Sequence, residues 1–147
     1  MKMYNIYLDG IDKCGKDSIL PYIGPLSNYK YICNVRGVIS QIAYSKLYNR
    51  PYEYDLDQQI YALNVYLTVD YEDWKIRCKS TNEPEINYIE NVKVFDESFD
   101  YLKKLHFPVL KCNTSKYSPY EIAKIIIDEI ERYNRGYEVS TWKIIQN

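Results

Sequence analysis

Apolar residues at Tyr4, Ile6 and Leu8 alternate with polar ones, the period of a half-buried strand. Gly10 to Gly15 then bound a tight loop, and Lys16 to about Ile23 reads as a short helix. Pro21 falls inside that helix, where it removes one backbone bond, so a short or kinked element is expected. Residues 29–35, YKYICNV, read as a second strand. The segment RGVISQIAYSKLYNR follows as a helix with Ile39, Ile42, Ala43 and Leu47 on one face, closed by Pro51. Residues 61–69, YALNVYLTV, form the continuous apolar run of a strand buried on both faces.

Asp70 starts a further helix containing Trp74 and Ile76. The polar segment 78–87, CKSTNEPEIN, holds Pro84 and predicts a loop or mobile flap. From Ile86 to about Leu105, Ile89, Val92, Phe95, Phe99 and Leu102 recur at spacings of three and four, which is helical. FPVLKCN reads as a fourth strand. In SPYEIAKIIIDEIERY, Ser118 suits an N-cap, Pro119 the first turn and Glu121 the third position of a capping box. The tail from 134 to 147 ends in a further strand or a segment packed by Trp142. Four strand-to-helix alternations predict an α/β fold with a mostly parallel sheet of four to five strands and helices on both faces.

With 147 residues the chain suits a single domain. A net charge of -1 gives no electrostatic support to nucleic acid as a partner, leaving only a local basic groove open. No run approaches a membrane span and the N-terminus enters a strand pattern at once, so a cytoplasmic, membrane-free location is expected. A homodimer is left open. Eighteen tyrosines beside abundant Asn, Lys and Ile suggest AT-rich coding, as in low-GC bacteria or their phages. Cys14, Cys33, Cys78 and Cys112 show neither a CxxC pair nor zinc-like spacing, which suits reduced thiols. Cys14 lies between Lys13 and Lys16, so a lowered thiol pKa is conceivable there, although tolerance of a small residue is simpler.

The segment GIDKCGK satisfies GxxxxGK directly after a strand and before a helix. Such a loop lets backbone N–H groups converge on phosphate oxygens, the helix start adds its dipole, and Lys16 neutralises charge. In a parallel α/β sheet, ligands bind beyond the carboxyl ends of the strands, where this loop lies.

Asp9, Gly10, Ile11, Asp12, Gly15 and Lys16 in YLDGIDKCGKDS resemble the P-loop of thymidylate kinases and related phage deoxynucleoside monophosphate kinases. Asp17 followed by Ser18 departs from the common Gly-Lys-Ser/Thr form and is similar to a Gly-Lys-Asp-Thr variant of phage-type kinases. VRGVISQIAYSKLYNRP resembles the family's Asp-Arg-Gly segment, with Arg36, Gly37, Ser40 and Tyr44 on the matching positions. Val35 stands where that segment has its acid. VYLTVDYEDWKIRC resembles the strand and helix leading to a lid, with Arg77 as the clamping arginine. VLKCNTSKYSPYEIAKII resembles the last strand, the adenine-side loop and the final helix, placing Asn113 to Lys116 near the base.

The resemblance implies a three-layer P-loop NTPase fold and ATP-dependent phosphoryl transfer to a deoxynucleotide or related acceptor, with ATP and Mg2+ as cofactors. It implies catalytic roles for Lys16, Arg36, Asp9 and Arg77, and nucleotide binding by residues 10–18, including Lys13 and Cys14, together with Asn113. Asp12, Arg36, Ser40 and Tyr44 would bind the acceptor, and Asp17 and Ser18 the metal. Only about ten residues, YIGPLSNYKY, separate the first helix from the Asp-Arg-Gly strand, so the acceptor pocket is reduced or rebuilt. Two alternatives stand beside the kinase: a nucleotide-binding or protein-interaction module with impaired catalysis, and a kinase acting on a modified base in DNA.

Overall fold

Among the described residues five parallel strands carry the fold in the order β2-β1-β3-β4-β5: β1 Asn5–Asp9, β2 Ile32–Val35, β3 Ala62–Thr68, β4 Val109–Asn113 and β5 Trp142–Ile145. The computed structural model describes residues 2–51, 61–82 and 87–136, with the backbone of 142–145. Among the described residues the helices are α1 Lys16–Ser27, α2 Val38–Leu47, α3 Tyr71–Ser80, α4 Tyr88–Lys104 and α5 Pro119–Asn134. Here α1 packs on α5 and α2 on α4, giving a three-layer α/β arrangement. The expected final strand exists as β5, parallel to β4. Residues 83–86 of the expected flap and the rest of the tail beyond Gly136 lie outside the described residues.

β1 sits between β2 and β3, with Leu8 opposite Val35 on one side and Val65 on the other. Ala62 to Leu67 of β3 are buried on both faces, which explains their unbroken apolar run. Phe95, Phe99 and Leu102 of α4 are likewise buried, and Phe95 stacks on Tyr66 and meets Tyr44 edge-on. At the N-terminus of α5, Ser118 and Glu121 form the expected capping box.

α1 departs from expectation, because it runs for 12 residues past both Pro21 and Pro25. Ile19, Ile23 and Ser27 recur every four residues on its buried face. The prolines lie about 200° around the helix from Ile19 and Ile23 and are exposed, so the carbonyls they leave unbonded face water. Asn28, in the left-handed region, closes the end by donating to Gly24 and Pro25 carbonyls.

Three smaller corrections have equally local causes. α2 stops at Leu47, before Pro51. Cys78 is buried in α3, so the helix takes up the first part of the expected flap. Ile89 has the helical spacing of the core residues yet is 79% exposed, because its place on the first turn of α4 faces away from the sheet.

Phe95→Ala should cost about 3–5 kcal/mol of unfolding free energy, the usual penalty for emptying an aromatic core site. Ile89→Ala should stay within about 0.5 kcal/mol. Urea denaturation of the two variants checks this contrast.

Candidate functional site

The carboxyl edge of the sheet opens into a cleft of about 840 Å³. Its floor is the loop and first turn of α1, from Asp12 to Ile19. Val35 and Arg36 form one wing, and Arg77, Ser80, Thr81, Thr114 and Tyr117 the other. Four cations, Lys13, Lys16, Arg36 and Arg77, and two carboxylates, Asp12 and Asp17, line it, so an anion is favoured. Gly15 at the start of α1 offers no side chain to cap the first N–H groups of the helix.

Gly10 cannot be replaced cheaply. Its φ is 156°, and a Cβ there would come within 2.6 Å of the Leu67 carbonyl oxygen and 2.5 Å of Cys14 Sγ. Past it the backbone turns back on itself, with Lys13 at φ 67° and Gly15 at φ 110°. Lys16 folds over the loop and donates from Nζ to the carbonyls of Gly10 at 2.8 Å and Ile11 at 3.3 Å. The indole Nε1 of Trp74 donates to the Asp12 carbonyl at 3.0 Å, and Nη1 of Arg77 to that of Lys13 at 3.0 Å. The Thr114 hydroxyl donates to the Cys14 carbonyl at 2.7 Å.

Asp9 turns the other way. It is fully buried, and its Oδ1 accepts from the Gly37 and Ser40 amides and the Ser40 hydroxyl. Among the described residues its Oδ2 has no hydrogen-bond partner. Burial raises the Asp9 pKa above its ordinary value of 3.8, against the lowering pull of those donors and of Lys16. Gly37 is required by this contact, since a Cβ would stand 2.7 Å from Tyr7 Cβ and 3.0 Å from Asp9 Oδ2. Just before it, Arg36 continues the sheet by donating its amide to Leu8 and then bends sharply at φ 67°. Its guanidinium emerges into the cleft, 5.9 Å from the Tyr44 ring centre.

The structure thus brings together Asp12, Lys13, Cys14, Gly15, Lys16, Asp17, Ser18, Arg36 and Arg77 on one cleft. It leaves out several expected contributors. Asp9 and Ser40 are bonded to each other beneath the cleft, so neither faces it as a catalytic or acceptor group. Gly10 and Ile11 are buried behind the loop. Tyr44 packs against Phe95 and Tyr48, and burial pushes its hydroxyl up to about 12. Asn113 donates to Asp70 and accepts from the Ser115 amide, away from the cleft lining. The Cys14 thiol is raised by burial, outweighing Lys16, which removes the case for an activated thiol. Tyr117 and Thr81 line the cleft without any motif to mark them in the sequence.

No protein-family model matches this chain, and no curated protein matches it in sequence. Among solved structures it is similar to the YorR protein of Bacillus subtilis, solved in complex with phosphorylated GDP. That match has a TM-score of 0.71, covers 91% of this chain and 99% of the other, and carries 18% identity. The likeness establishes a shared fold. Among the described residues no helix is long and apolar enough to cross a membrane.

The buried Asp9 predicts a pH dependence. The folded state holds this proton to higher pH than the unfolded chain does, so the group subtracts stability as pH rises from 3.8 toward its folded pKa. Asp9→Asn keeps the Oδ1 acceptor and removes the titration. Urea unfolding across a pH series should show a flatter profile above about pH 4 for this variant than for the parent. An unchanged slope would show that Asp9 titrates alike in both states.

Proposed function

We propose that this protein binds ATP in the cleft and transfers its γ-phosphoryl group to a deoxynucleotide or a related acceptor. One observation carries the proposal: a GxxxxGK loop at a strand-to-helix turn presents Lys16 and an uncapped helix start to the same cleft as Arg36. The fold shared with a protein solved with phosphorylated GDP supports it.

The residues divide the work by position. Lys16 donates to the Gly10 and Ile11 carbonyls and to the Cys14 sulfur, and can exchange them for phosphate oxygens. Arg36, exposed on the opposite wing, offers a planar pair of donors to an acceptor phosphate or the moving phosphoryl group. An acceptor oxygen would attack the γ-phosphorus as its bond to the bridging oxygen breaks, with charge held by these cations. A monophosphate acceptor is largely ionised at neutral pH, with a second pKa near 6, so its oxygen needs no base. For a hydroxyl acceptor, Asp12 is the exposed carboxylate on the cleft.

Mg2+ is implied by such chemistry, and the donor set fits it. Asp17 and Ser18 place a carboxylate and a hydroxyl on the cleft at the start of α1. The ion needs only one or two protein oxygens besides phosphates and water. Bound there, it would neutralise phosphate charge. Tyr117 and Thr114 flank the wing on which the base would lie.

A second role, nucleotide binding without turnover, is favoured by one specific residue. Val35 lines the cleft beside Arg36 and is 40% exposed, an apolar side chain where an orienting acid would stand.

Calorimetry should show MgATP binding, weakened about tenfold or more by Lys16→Ala through loss of a charged hydrogen bond. Incubation with ATP and a panel of deoxynucleoside monophosphates should yield a diphosphate product. Binding without product from any acceptor would leave the non-catalytic role. In that event Val35→Asp, which returns an acid to the wing, should raise turnover above background.

A further inference from the structure

The loop from Gly10 to Cys14 has every one of its five carbonyl oxygens bonded to a side chain. Lys16 takes the first two. The last three, on Asp12, Lys13 and Cys14, go to Trp74 and Arg77 of α3 and to Thr114 beyond β4. Trp74 and Arg77 are three residues apart, so one face of α3 presents both donors.

A planar trans peptide points its C=O and the following N–H in opposite directions. Pulling the Asp12 and Cys14 carbonyls toward α3 and Thr114 therefore turns the amides of Lys13 and Gly15 to the other side. The intervening Cys14 amide closes the loop by donating to Ile11 at 3.1 Å. Three further bonds make these donors rigid. The single Thr114 hydroxyl proton is shared between the Cys14 carbonyl and the Thr68 carbonyl, the latter at 2.9 Å, the Thr114 amide donates to that same Thr68 carbonyl, and Arg77 donates to the Thr114 hydroxyl at 3.1 Å.

We propose that Trp74, Arg77 and Thr114 are positioning residues that preset the anion-binding face of the loop before a nucleotide arrives. This role rests on the nucleotide-binding function proposed above and assigns Arg77 differently from a lid arginine, since its Nη1 is committed to Lys13 and Thr114. Presetting lowers the ordering cost that binding would otherwise carry. The effect belongs to the polyphosphate, which meets the loop, and is independent of the base.

The experiment uses the whole chain and two probes, MgATP and inorganic tripolyphosphate, measured by calorimetry. Thr114→Val removes the hydroxyl and keeps the side-chain shape. Arg77→Met, at a half-buried site, removes the guanidinium, and Trp74→Phe removes only the indole donor while keeping a ring. Each should weaken tripolyphosphate binding about fivefold or more, the order expected from one lost hydrogen bond, and MgATP by a similar factor. Thr114→Ser should restore binding to within about twofold of the parent, because the hydroxyl returns without the methyl.

Circular dichroism identifies any variant that fails to fold, and Trp74→Phe, which leaves the charge of the cleft unchanged, then carries the test with Thr114→Val. Parent-like tripolyphosphate affinity in the folded variants overturns the positioning role and leaves nucleotide binding intact. A loss in Thr114→Ser with parent-like binding in Thr114→Val also overturns it, since packing of the methyl beside Gly15 would then be responsible. A parent that binds neither probe overturns the nucleotide-binding function itself, and the positioning role with it.

Discussion

Backbone carbonyls held from outside are the constraint on which the cleft depends. The loop between β1 and α1 makes few backbone bonds of its own, and it places a non-glycine residue, Lys13, in the left-handed region. That conformation costs about 1–2 kcal/mol. A hydrogen bond contributes a net of about 1 kcal/mol, so five bonds from four side chains outweigh the strain of one residue. The donors come from three separate parts of the chain, which makes the loop a product of the assembled domain rather than of its own sequence.

A second tie, through Asp9, governs the other wing. Its carboxyl joins the end of β1 to the start of α2 and so sets where Arg36 leaves the sheet. Burial opposes the charge, while amide donors on one oxygen support it. A carboxyl in such surroundings serves architecture better than catalysis. Gly37 beside it must lack a side chain, since a Cβ there would meet Tyr7 at 2.7 Å and the carboxyl at 3.0 Å.

Much of the fold was legible because its causes are local. Alternation marked β1, a continuous apolar run marked β3, and Ser118 with Glu121 announced the start of α5 within four residues. Lys16 and the glycine loop were legible for the same reason. What could not be read depends on pairs distant in sequence. Asp9 meets Ser40 and Thr114 meets Cys14, and no window along the chain contains either pair. Pro21 misled because its cost to α1 depends on which face it occupies, and that face is decided by the burial of Ile19 and Ile23 in the core. Ile89 kept the right period at a place that stays exposed.

Trp74 couples this architecture to optics. Its indole lies against Tyr71 and Tyr88, with ring centres 6.0 and 5.2 Å away, while its N–H rests on the Asp12 carbonyl. The two tyrosines are close enough to pass excitation energy to it, and the strength of the N–H bond influences the colour of its emission. A change in the loop's backbone thus reaches a chromophore through a single bond. The protein carries its own fluorescent gauge of the site, with no label added, and Trp142 is the one other indole against which its signal must be separated.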